Sequence, residues 1–456
     1  MGRWFKFMQR CSCRVAMPVI FLGLLLLNLN VLANAEDLLD VYRLAQSNDP
    51  AFEAARYTFA AAQQKLPQAR AGLLPVISLN GSDTYNNAHA EFAGAAPVSR
   101  DVHTQTWSLQ LTQPIYRGQN IYAYSESTYG VEQARAQYAM AEQDLVLRVT
   151  QAYFDVLVAQ GSLEMAEVQL QAAEEQQKLA KRGFDSGVHA ITDVHEANSR
   201  ADLARSQKIA VSNELESKHA ELERFVGQET KLLAALKLDS VVPKPKPENS
   251  REWTEYAREN NPAVLAPKAA VGVAEASVYK NRAEYAPSLD LVASYGKNYA
   301  SGNVSSPTDY ESRTESTQIG MQLSVPLYSG GGTNSRVKEA IANVGRSRAE
   351  YELARRKSAT EAKQAYAAVM NGLAQIEALE SAVESSRSSV KGNQVGYKLG
   401  IHMNIDVLNA QQQLYTAQRD LLKARYETLI QGFKLKAAAG ILTEADVLDV
   451  NKLLDY

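Results

Sequence analysis

The chain has 456 residues, a length that would fit two or three ordinary globular domains. Its 48 lysines and arginines against 51 aspartates and glutamates give a formal net charge of −3, and this acidic balance argues against nucleic acid as a partner. The only two cysteines, Cys11 and Cys13, lie close to the N-terminus.

Residues 1–35 have the three regions of a secretory signal peptide. Four basic residues come first, an apolar run follows, and Ala33-Asn34-Ala35 supplies a cleavage site, so the mature chain is expected to begin at Glu36. Nothing later is apolar for long enough to be a spanning helix. Both cysteines leave with the signal, and the formal net charge falls to −7 because the signal holds four basic and no acidic residues. A cysteine-free exported chain excludes disulfide scaffolds, thiol catalysis and cysteine-based metal sites.

An internal repeat organises the mature chain. Motifs of the first half recur 212 or 213 residues later: Asn48-Asp49-Pro50 as Asn260-Asn261-Pro262, Pro114-Ile115-Tyr116 as Pro326-Leu327-Tyr328, Gln151-Ala152-Tyr153 as Gln364-Ala365-Tyr366, and Gly227 as Gly440. The sequence therefore predicts repeat 1 at 36–241, a lysine- and proline-rich linker at 242–250, repeat 2 at 251–440 and a C-terminal tail at 441–456.

Each repeat starts with short helices and continues into a stretch with a period of two, at 76–116 and again at 288–328. Apolar residues there alternate with polar ones, as in Trp107, Leu109 and Leu111, and in Ile319, Met321 and Leu323. The pattern predicts one β-hairpin per repeat, with strands of about 10 to 12 residues, which is the length that crosses a bilayer. A hairpin packed on a soluble core explains the alternation equally well, but the rest of each repeat is helical and offers no such core.

A proline-free stretch follows each hairpin and predicts long helices, at 119–182 and 192–226 in repeat 1 and at 333–395 and 404–438 in repeat 2. Small and apolar residues recur there in heptads with a stutter, which indicates coiled-coil packing. The first helix would be on the order of 95 Å long. Glycine-containing segments between the helices predict hairpin turns, with Thr192 and Asn404 as helix N-caps.

Four strands per chain cannot close a barrel, and open sheet edges are not tolerated in lipid. The chain is therefore expected to oligomerise. Three copies would supply twelve strands, an even number found in outer-membrane barrels, whereas the eight strands of two copies would leave no conduit.

The sequence resembles the TolC family of outer-membrane efflux and type I secretion channel proteins over essentially all of 36–456. The most specific stretches are Arg182-Gly183-Phe184 through Gly187, Ala190 to Val194, Gly396 to Gly400, Asp406-Val407-Leu408 and Ala424-Arg425-Tyr426. The resemblance implies an α+β membrane protein with two internal repeats. It would be a homotrimer whose twelve-stranded transmembrane β-barrel, four strands per chain, continues into a long periplasmic α-helical coiled-coil barrel.

The same resemblance implies the function and the partners. The protein would be the exit duct of a tripartite efflux pump, a type I secretion system or both, and would conduct small molecules or proteins passively across the periplasm and outer membrane of a Gram-negative bacterium. Its partners would be outer-membrane lipid, a periplasmic adaptor (membrane fusion) protein and an inner-membrane ABC, RND or MFS transporter.

The resemblance also assigns roles to residues at the two helix turns. Asp406 and Asn409 would form the periplasmic entrance constriction, which Asn409 weakens because it replaces an acid of the family. Gly187 and Gly400 would mark helix-tip turns that contact the adaptor. A closed-state latch would join Thr192 and Asp193 of the first turn to Tyr397 and His402 of the second. Alternatively, Asp193 and Asp406 only favour the positive end of the following helix.

His402 stands where the family has an arginine. Because the reference pKa of histidine is about 6.5, it would make a charged contact only in mildly acidic surroundings. The latch is therefore expected to loosen as the pH rises through neutrality.

No other chemistry stands out. No nucleophile triad or carboxylate pair supports an enzyme, and neither the glycines at 330–332 nor His189 and His195 match a phosphate-binding or metal-binding pattern, so no cofactor or metal is expected. An exported coiled-coil structural protein or adhesin is the alternative, although it leaves the bilayer-length strands unexplained. The sequence does not identify the cargo or the pump.

Overall fold

The computed structural model describes residues 36–187, 190–230, 232–237 and 241–455, so the predicted signal peptide lies outside the described residues. Four strands, one short 3-10 helix at Ala283–Tyr285 and ten α-helices make up the described part. The strands are β1 Val76–Ala90, β2 Val98–Tyr116, β3 Ser288–Ala300 and β4 Ser312–Ser324. The helices are α1 Leu38–Asn48, α2 Pro50–Gln63, α3 Lys65–Ala71, α4 Gly118–Asp185, α5 Ile191–Val226, α6 Ser250–Asn260, α7 Pro262–Arg282, α8 Gly332–Lys398, α9 Asn404–Ala438 and α10 Glu444–Asn451.

Two very long helices, α4 and α8, are the largest elements of the fold. Helix α4 has 68 residues and α8 has 67, so each is on the order of 100 Å long. Helix α5 packs along α4, and α9 packs along both α8 and α4. The buried positions of the α4–α5 contact include the alanines Ala173, Ala201 and Ala204, which let the two helix backbones approach closely.

The starts of α5 and α9 correct the predicted N-caps. The N-cap of α5 is Ala190, with Thr192 already inside the helix, and the N-cap of α9 is Met403. At α9 the side chain of Asp406 performs the capping, because its Oδ2 accepts a hydrogen bond from the Met403 backbone N–H at 3.0 Å. The first residues of α5 and α9 therefore do not coincide with the residues that have the strongest N-cap preference.

The strands also differ from their predicted extent. They have 13 to 19 residues instead of about 10 to 12, and β4 ends at Ser324, so Val325 and Leu327 lie outside it. Pro326, which has no backbone N–H to donate to a ladder, comes two residues after the last strand residue. In β2, the residue Pro114 is tolerated beside an irregularity in the pairing with β3.

The four strands form one antiparallel sheet in the order β1-β2-β3-β4. Val76 pairs with Thr112 in the first hairpin and Ser288 with Ser324 in the second, so the two hairpins have the same register once 212 is added to every number of the first. Odd-numbered residues pair with odd-numbered residues everywhere except at Tyr116 and Leu289, beyond the irregularity in the β2–β3 pairing, and they therefore share one face of the sheet. That face carries the exposed apolar side chains of Ile77, Leu79, Leu109, Ile319, Met321 and Leu323.

The main hydrophobic core lies around the middle of α4. Tyr153 and Phe154 are fully buried there, with side chains from α1, α5, α9 and α10 around them. The Tyr153 hydroxyl donates to the backbone oxygen of Ala234 at 2.8 Å. The core therefore ties both repeats and the residues after 440 to one stretch of helix.

The Asn-x-Pro motif plays the same structural part in each repeat. Asp49 caps α2 by accepting from the Ala51 backbone N–H at 3.3 Å, and Asn261 caps α7 by accepting from Ala263 at 2.8 Å. Each motif also covers the end of a long helix, since the Asn48 side chain donates to the backbone oxygen of Val226 and that of Asn261 donates to Ala438. The repeat thus appears in the contacts as well as in the sequence.

Asp49 makes a buried ion pair that its counterpart Asn261 lacks. Its side chain is 5 % exposed, and its Oδ2 lies 2.8 Å from Nη2 of Arg148. We expect Asp49→Ala to lower the free energy of unfolding by about 3 kcal/mol, since the change removes a buried charge partner and a helix cap. Far-UV circular dichroism on heating measures the loss, and Asp49→Asn, which retains the cap, is the control with a smaller effect. Equal midpoints for Asp49→Ala and the parent would contradict the ion pair.

Candidate functional site

The predicted site residues lie at two helix turns, between α4 and α5 and between α8 and α9. Each turn contains one glycine with a positive φ, Gly187 at +75° and Gly400 at +76°. An added Cβ would meet no atom within 4 Å at either position, so the backbone conformation and not crowding favours glycine there. Each glycine N–H closes the turn, Gly187 on the Phe184 oxygen at 2.9 Å and Gly400 on the Tyr397 oxygen at 3.0 Å.

The second turn is organised around Asp406 and His402. The backbone N–H groups of Ile401 and His402 both donate to the oxygen of Gly396, at 2.8 and 3.2 Å. The His402 ring lies so close over Gly396 that a Cβ there would collide with it. Nδ1 of His402 is 3.7 Å from Oδ2 of Asp406. The structure therefore places His402 against its own turn, beside the predicted constriction residue.

Asp193 of the first repeat lies near enough to Tyr397 of the second for its charge to act on the phenol. Burial raises the pKa of the Tyr397 hydroxyl above its ordinary value, and the negative charge of Asp193 raises it further. The phenol therefore stays protonated and able to donate at neutral pH. Both side chains are half-buried, whereas Thr192 is exposed in the first turn of α5. Their role as a latch stays a prediction.

Asn409 has a hydrogen-bond partner that could not be predicted from the sequence. Its Oδ1 accepts a hydrogen bond from Nη2 of Arg200 on α5 at 3.1 Å. The two residues are 209 positions apart, and no local spacing or motif connects them. The positively charged Arg200 side chain thus lies beside Asn409, the position at which the resemblance implies a second acidic residue.

The described ranges contain no group of three or more histidine, cysteine, aspartate or glutamate side chains placed to hold a metal ion. Within the same ranges, no helix combines the length and the apolar character needed to cross a membrane.

The architecture defines a class of protein, because solved outer-membrane channels have the same fold. The CmeC outer membrane channel of Campylobacter jejuni aligns with a TM-score of 0.77 at 17 % identity, over 92 % of this chain and 90 % of its own. The outer membrane protein VceC of Vibrio cholerae aligns with a TM-score of 0.75 at 19 % identity, over 88 % and 96 %. These two identities are low and show the fold alone.

The family follows from the sequence. The outer membrane efflux protein family matches residues 41–228 and 253–441, one match in each repeat. The chain belongs to this family, which confirms the resemblance noted from the helix turns.

Several relatives extend over nearly the whole chain. The alkaline protease secretion protein AprF of Pseudomonas aeruginosa is 34 % identical over 93 % of this chain and 89 % of its own length. The outer membrane protein TolC is 31 % identical in Vibrio cholerae, over 91 % and 93 %, and 30 % identical in Escherichia coli, over 95 % and 88 %. The protein is accordingly an outer-membrane channel of the efflux and secretion type, located in the outer membrane of a Gram-negative cell.

Arg200 bears on the charge of the predicted constriction. We expect Asn409→Asp to change the cation preference of the channel only slightly, because the Arg200 guanidinium would pair with the new carboxylate. With Arg200→Ala in addition, the unpaired acid should raise the cation preference clearly. Reversal potentials in a salt gradient across a planar bilayer measure both, and Arg200→Ala alone is the control. If Asn409→Asp raised the cation preference by the same amount with Arg200 present and with Arg200→Ala, the result would contradict this pairing.

Proposed function

We propose that the protein forms a homotrimeric exit duct, and one observation carries the proposal. A four-stranded sheet with an exposed apolar face and two edge strands stands on helices on the order of 100 Å long. Such edges are not stable in lipid, so each chain requires further strands. Two further copies close a twelve-stranded barrel that is wide enough to conduct.

The duct is passive in this proposal, with no enzymatic activity and no cofactor of its own. An inner-membrane transporter of the ABC, RND or MFS class supplies the energy. A periplasmic adaptor protein joins that transporter to the helix tips around Gly187 and Gly400, where the helix pairs end in exposed turns.

Secreted polypeptide is the cargo that the relatives favour. AprF is named for alkaline protease secretion, and the proteases secretion protein PrtF of Dickeya chrysanthemi is 28 % identical over 92 % of this chain. The probable efflux pump outer membrane protein TtgC of Pseudomonas putida is 24 % identical over 81 %. We therefore propose a type I secretion system as the principal assembly and small-molecule efflux as the second candidate.

We further propose that the two helix turns form the periplasmic entrance. Three copies of Asp406 around the axis would narrow it and favour cations, while Asn409 adds no charge. The closed-state latch would be the Asp193–Tyr397 contact, with Thr192 and His402 in supporting positions.

Extraction of outer membranes into detergent tests the trimer. The expected species migrates as a trimer in mild detergent, as a monomer after heating, and gives discrete conductance steps in a planar bilayer. Recovery of a soluble monomer from the periplasm would favour the exported coiled-coil or adhesin alternative. The two cargo classes are separated by expressing the protein in a strain that lacks its own channel. Restored secretion of a protease supports polypeptide cargo, and restored drug resistance supports small-molecule efflux.

A further inference from the structure

A polar cavity of about 330 Å³ lies between α4, α5 and α9. The described residues that line it include two arginines, Arg200 on α5 and Arg419 on α9, and no aspartate or glutamate. Four glutamine side chains, two on α9 and one each on α4 and α5, add amide groups to the lining. The cavity therefore combines positive charge with many hydrogen-bonding groups.

The two arginines differ in how their charge is balanced. Nη2 of Arg419 lies 2.9 Å from Oδ1 of the neighbouring Asp420, so this guanidinium already has a counterion. Nη2 of Arg200 donates to the neutral amide oxygen of Asn409 at 3.1 Å, and Arg200 forms no ion pair with any residue of the described chain. The cavity thus contains one positive charge that the described residues leave unbalanced.

Tyr415 on α9 lines the same cavity and has an unused hydroxyl. The side chain is 5 % exposed, and among the described residues its hydroxyl oxygen has no hydrogen-bond partner. Burial raises the pKa of this phenol above its ordinary value, although the charge of Arg419 acts in the opposite direction, so the hydroxyl is protonated at neutral pH. Buried polar groups nearly always have a partner, and an occupant of the cavity that accepts a hydrogen bond would supply one.

The internal repeat does not account for the two arginines. The repeat equivalent of Arg200 is Gln413, and that of Arg419 is Ser206. Neither arginine therefore belongs to the packing pattern that the two repeats share. Their position at one cavity, together with the unused hydroxyl, favours a role in binding over a role in the repeated fold.

We propose that this cavity binds a small amphipathic monocarboxylate, with the carboxylate held by Arg200 and Arg419 and the apolar part of the ligand against Leu203 and Leu408. Every lining residue belongs to one chain. The proposed site therefore does not depend on the proposed trimer.

The chemistry of the lining selects this class of ligand. The planar guanidinium group matches a carboxylate with two parallel hydrogen bonds. A single unbalanced charge favours a monoanion over inorganic phosphate, which carries more negative charge. Leucines and alanines form the apolar part of the lining, and Leu203 is 62 % exposed and thus available to a ligand. The volume is at the lower end of the range for small-molecule pockets, about 300 to 1,000 Å³.

Benzoate is the probe, titrated calorimetrically into the full chain purified in detergent at constant ionic strength. We expect saturable binding of one benzoate per chain. Uncharged benzamide and inorganic phosphate should both bind about tenfold more weakly. Arg200→Ala should weaken benzoate binding about tenfold, because it removes a charged hydrogen-bond donor. Tyr415→Phe should weaken it about threefold, because it removes a neutral one.

Two further variants keep the test independent of a folding defect. Arg205→Ala is the matched control on α5, since its guanidinium pairs with Asp202 and Glu174 and lies outside the cavity lining, so benzoate affinity should stay at the parental value. Asn409→Asp should weaken benzoate binding while Arg200 stays in place, because the new carboxylate would compete for the same guanidinium. Far-UV circular dichroism confirms that each variant is folded.

The possible outcomes separate the site from the trimer. Benzoate binding that is lost in Arg200→Ala and retained in Arg205→Ala supports the proposal. No saturable binding to the folded parent, or parental affinity in a folded Arg200→Ala variant, overturns it. Equal affinity for benzamide overturns recognition of the carboxylate, and tighter binding of phosphate overturns the monocarboxylate class. A monomeric parent that binds benzoate overturns the proposed trimer and leaves the site intact.

Discussion

Replacement of Gly440 by alanine should destabilise the protein more than the same change at Gly227 or Gly400. Gly440 ends α9 with φ at +73°, and an added Cβ would lie 2.5 Å from the backbone carbon and oxygen of Asn260 and from the Cα of Asn261. A side chain at positive φ costs about 1 to 2 kcal/mol by itself. The contact with backbone atoms adds to this cost, because a backbone segment cannot rotate away. We expect a total loss of about 4 kcal/mol in the free energy of unfolding.

Two other glycines serve as controls, because alanine there would suffer the cost of a positive φ without a collision with backbone atoms. Gly227 is the repeat equivalent of Gly440, with φ at +77°, but its nearest contact would be the Asn48 Cβ at an ordinary 3.5 Å. Gly400 has open space around it. Replacement of either glycine by alanine should lower the free energy of unfolding by only about 1 to 2 kcal/mol. Heating of the three variants in detergent, followed by far-UV circular dichroism, measures the difference. Equal midpoints would refute the close packing of α9 against Asn260.

Loss of the proposed latch between Asp193 and Tyr397 should open the proposed periplasmic entrance. The double variant Asp193→Ala with Tyr397→Phe removes both side chains of this latch, so the helix tips should separate. We expect single-channel conductance to rise several-fold, while the trimer and its barrel stay intact. Planar-bilayer recordings of the double variant and of each single variant measure the effect. An intact trimer with the parental conductance would contradict the latch.

His402 and Asp406 provide controls for that experiment. Asp406→Ala should change the cation preference more than the conductance, because it removes charge from the proposed entrance and leaves Asp193 and Tyr397 in place. His402 lies against its own turn, so His402→Ala should raise the conductance less than Tyr397→Phe.

Much of the fold could be predicted from the sequence because long periodic segments carry a strong signal. The absence of proline after Pro114 and Pro326 indicates helices, and α4 and α8 have 68 and 67 residues. Element ends were harder to predict. Thr192 is a favourable N-cap residue, yet Ala190 occupies that position and Thr192 already lies inside α5.

The candidate site shows a sharper limit. Asp193 and Tyr397 could be paired only through resemblance to a family, since nothing in their own spacing connects them. Arg200 and Asn409 could not be paired at all. Their repeat equivalents are Gln413 and Glu196, so even the internal symmetry gives no indication of the contact. Contacts between distant helices depend on how the helices are rotated about their axes, and alanine-rich seams leave that rotation weakly specified in the sequence.

The segment 232–237 lies beside both extremities of the described chain. Glu36 donates to the Leu232 oxygen at 2.7 Å, and Asp455 donates to the Ala235 oxygen at 2.7 Å. The two ends of the described chain therefore lie close to each other and to the end of repeat 1. Repeat 1 is joined covalently to repeat 2 by the linker, whereas the end of repeat 2 lies near the start of repeat 1 without a covalent connection. Which hairpin comes first is therefore arbitrary for the architecture. A permuted gene that starts at Ser250 and joins the residues after Asp455 to Glu36 would encode the same strands and helices in the same positions.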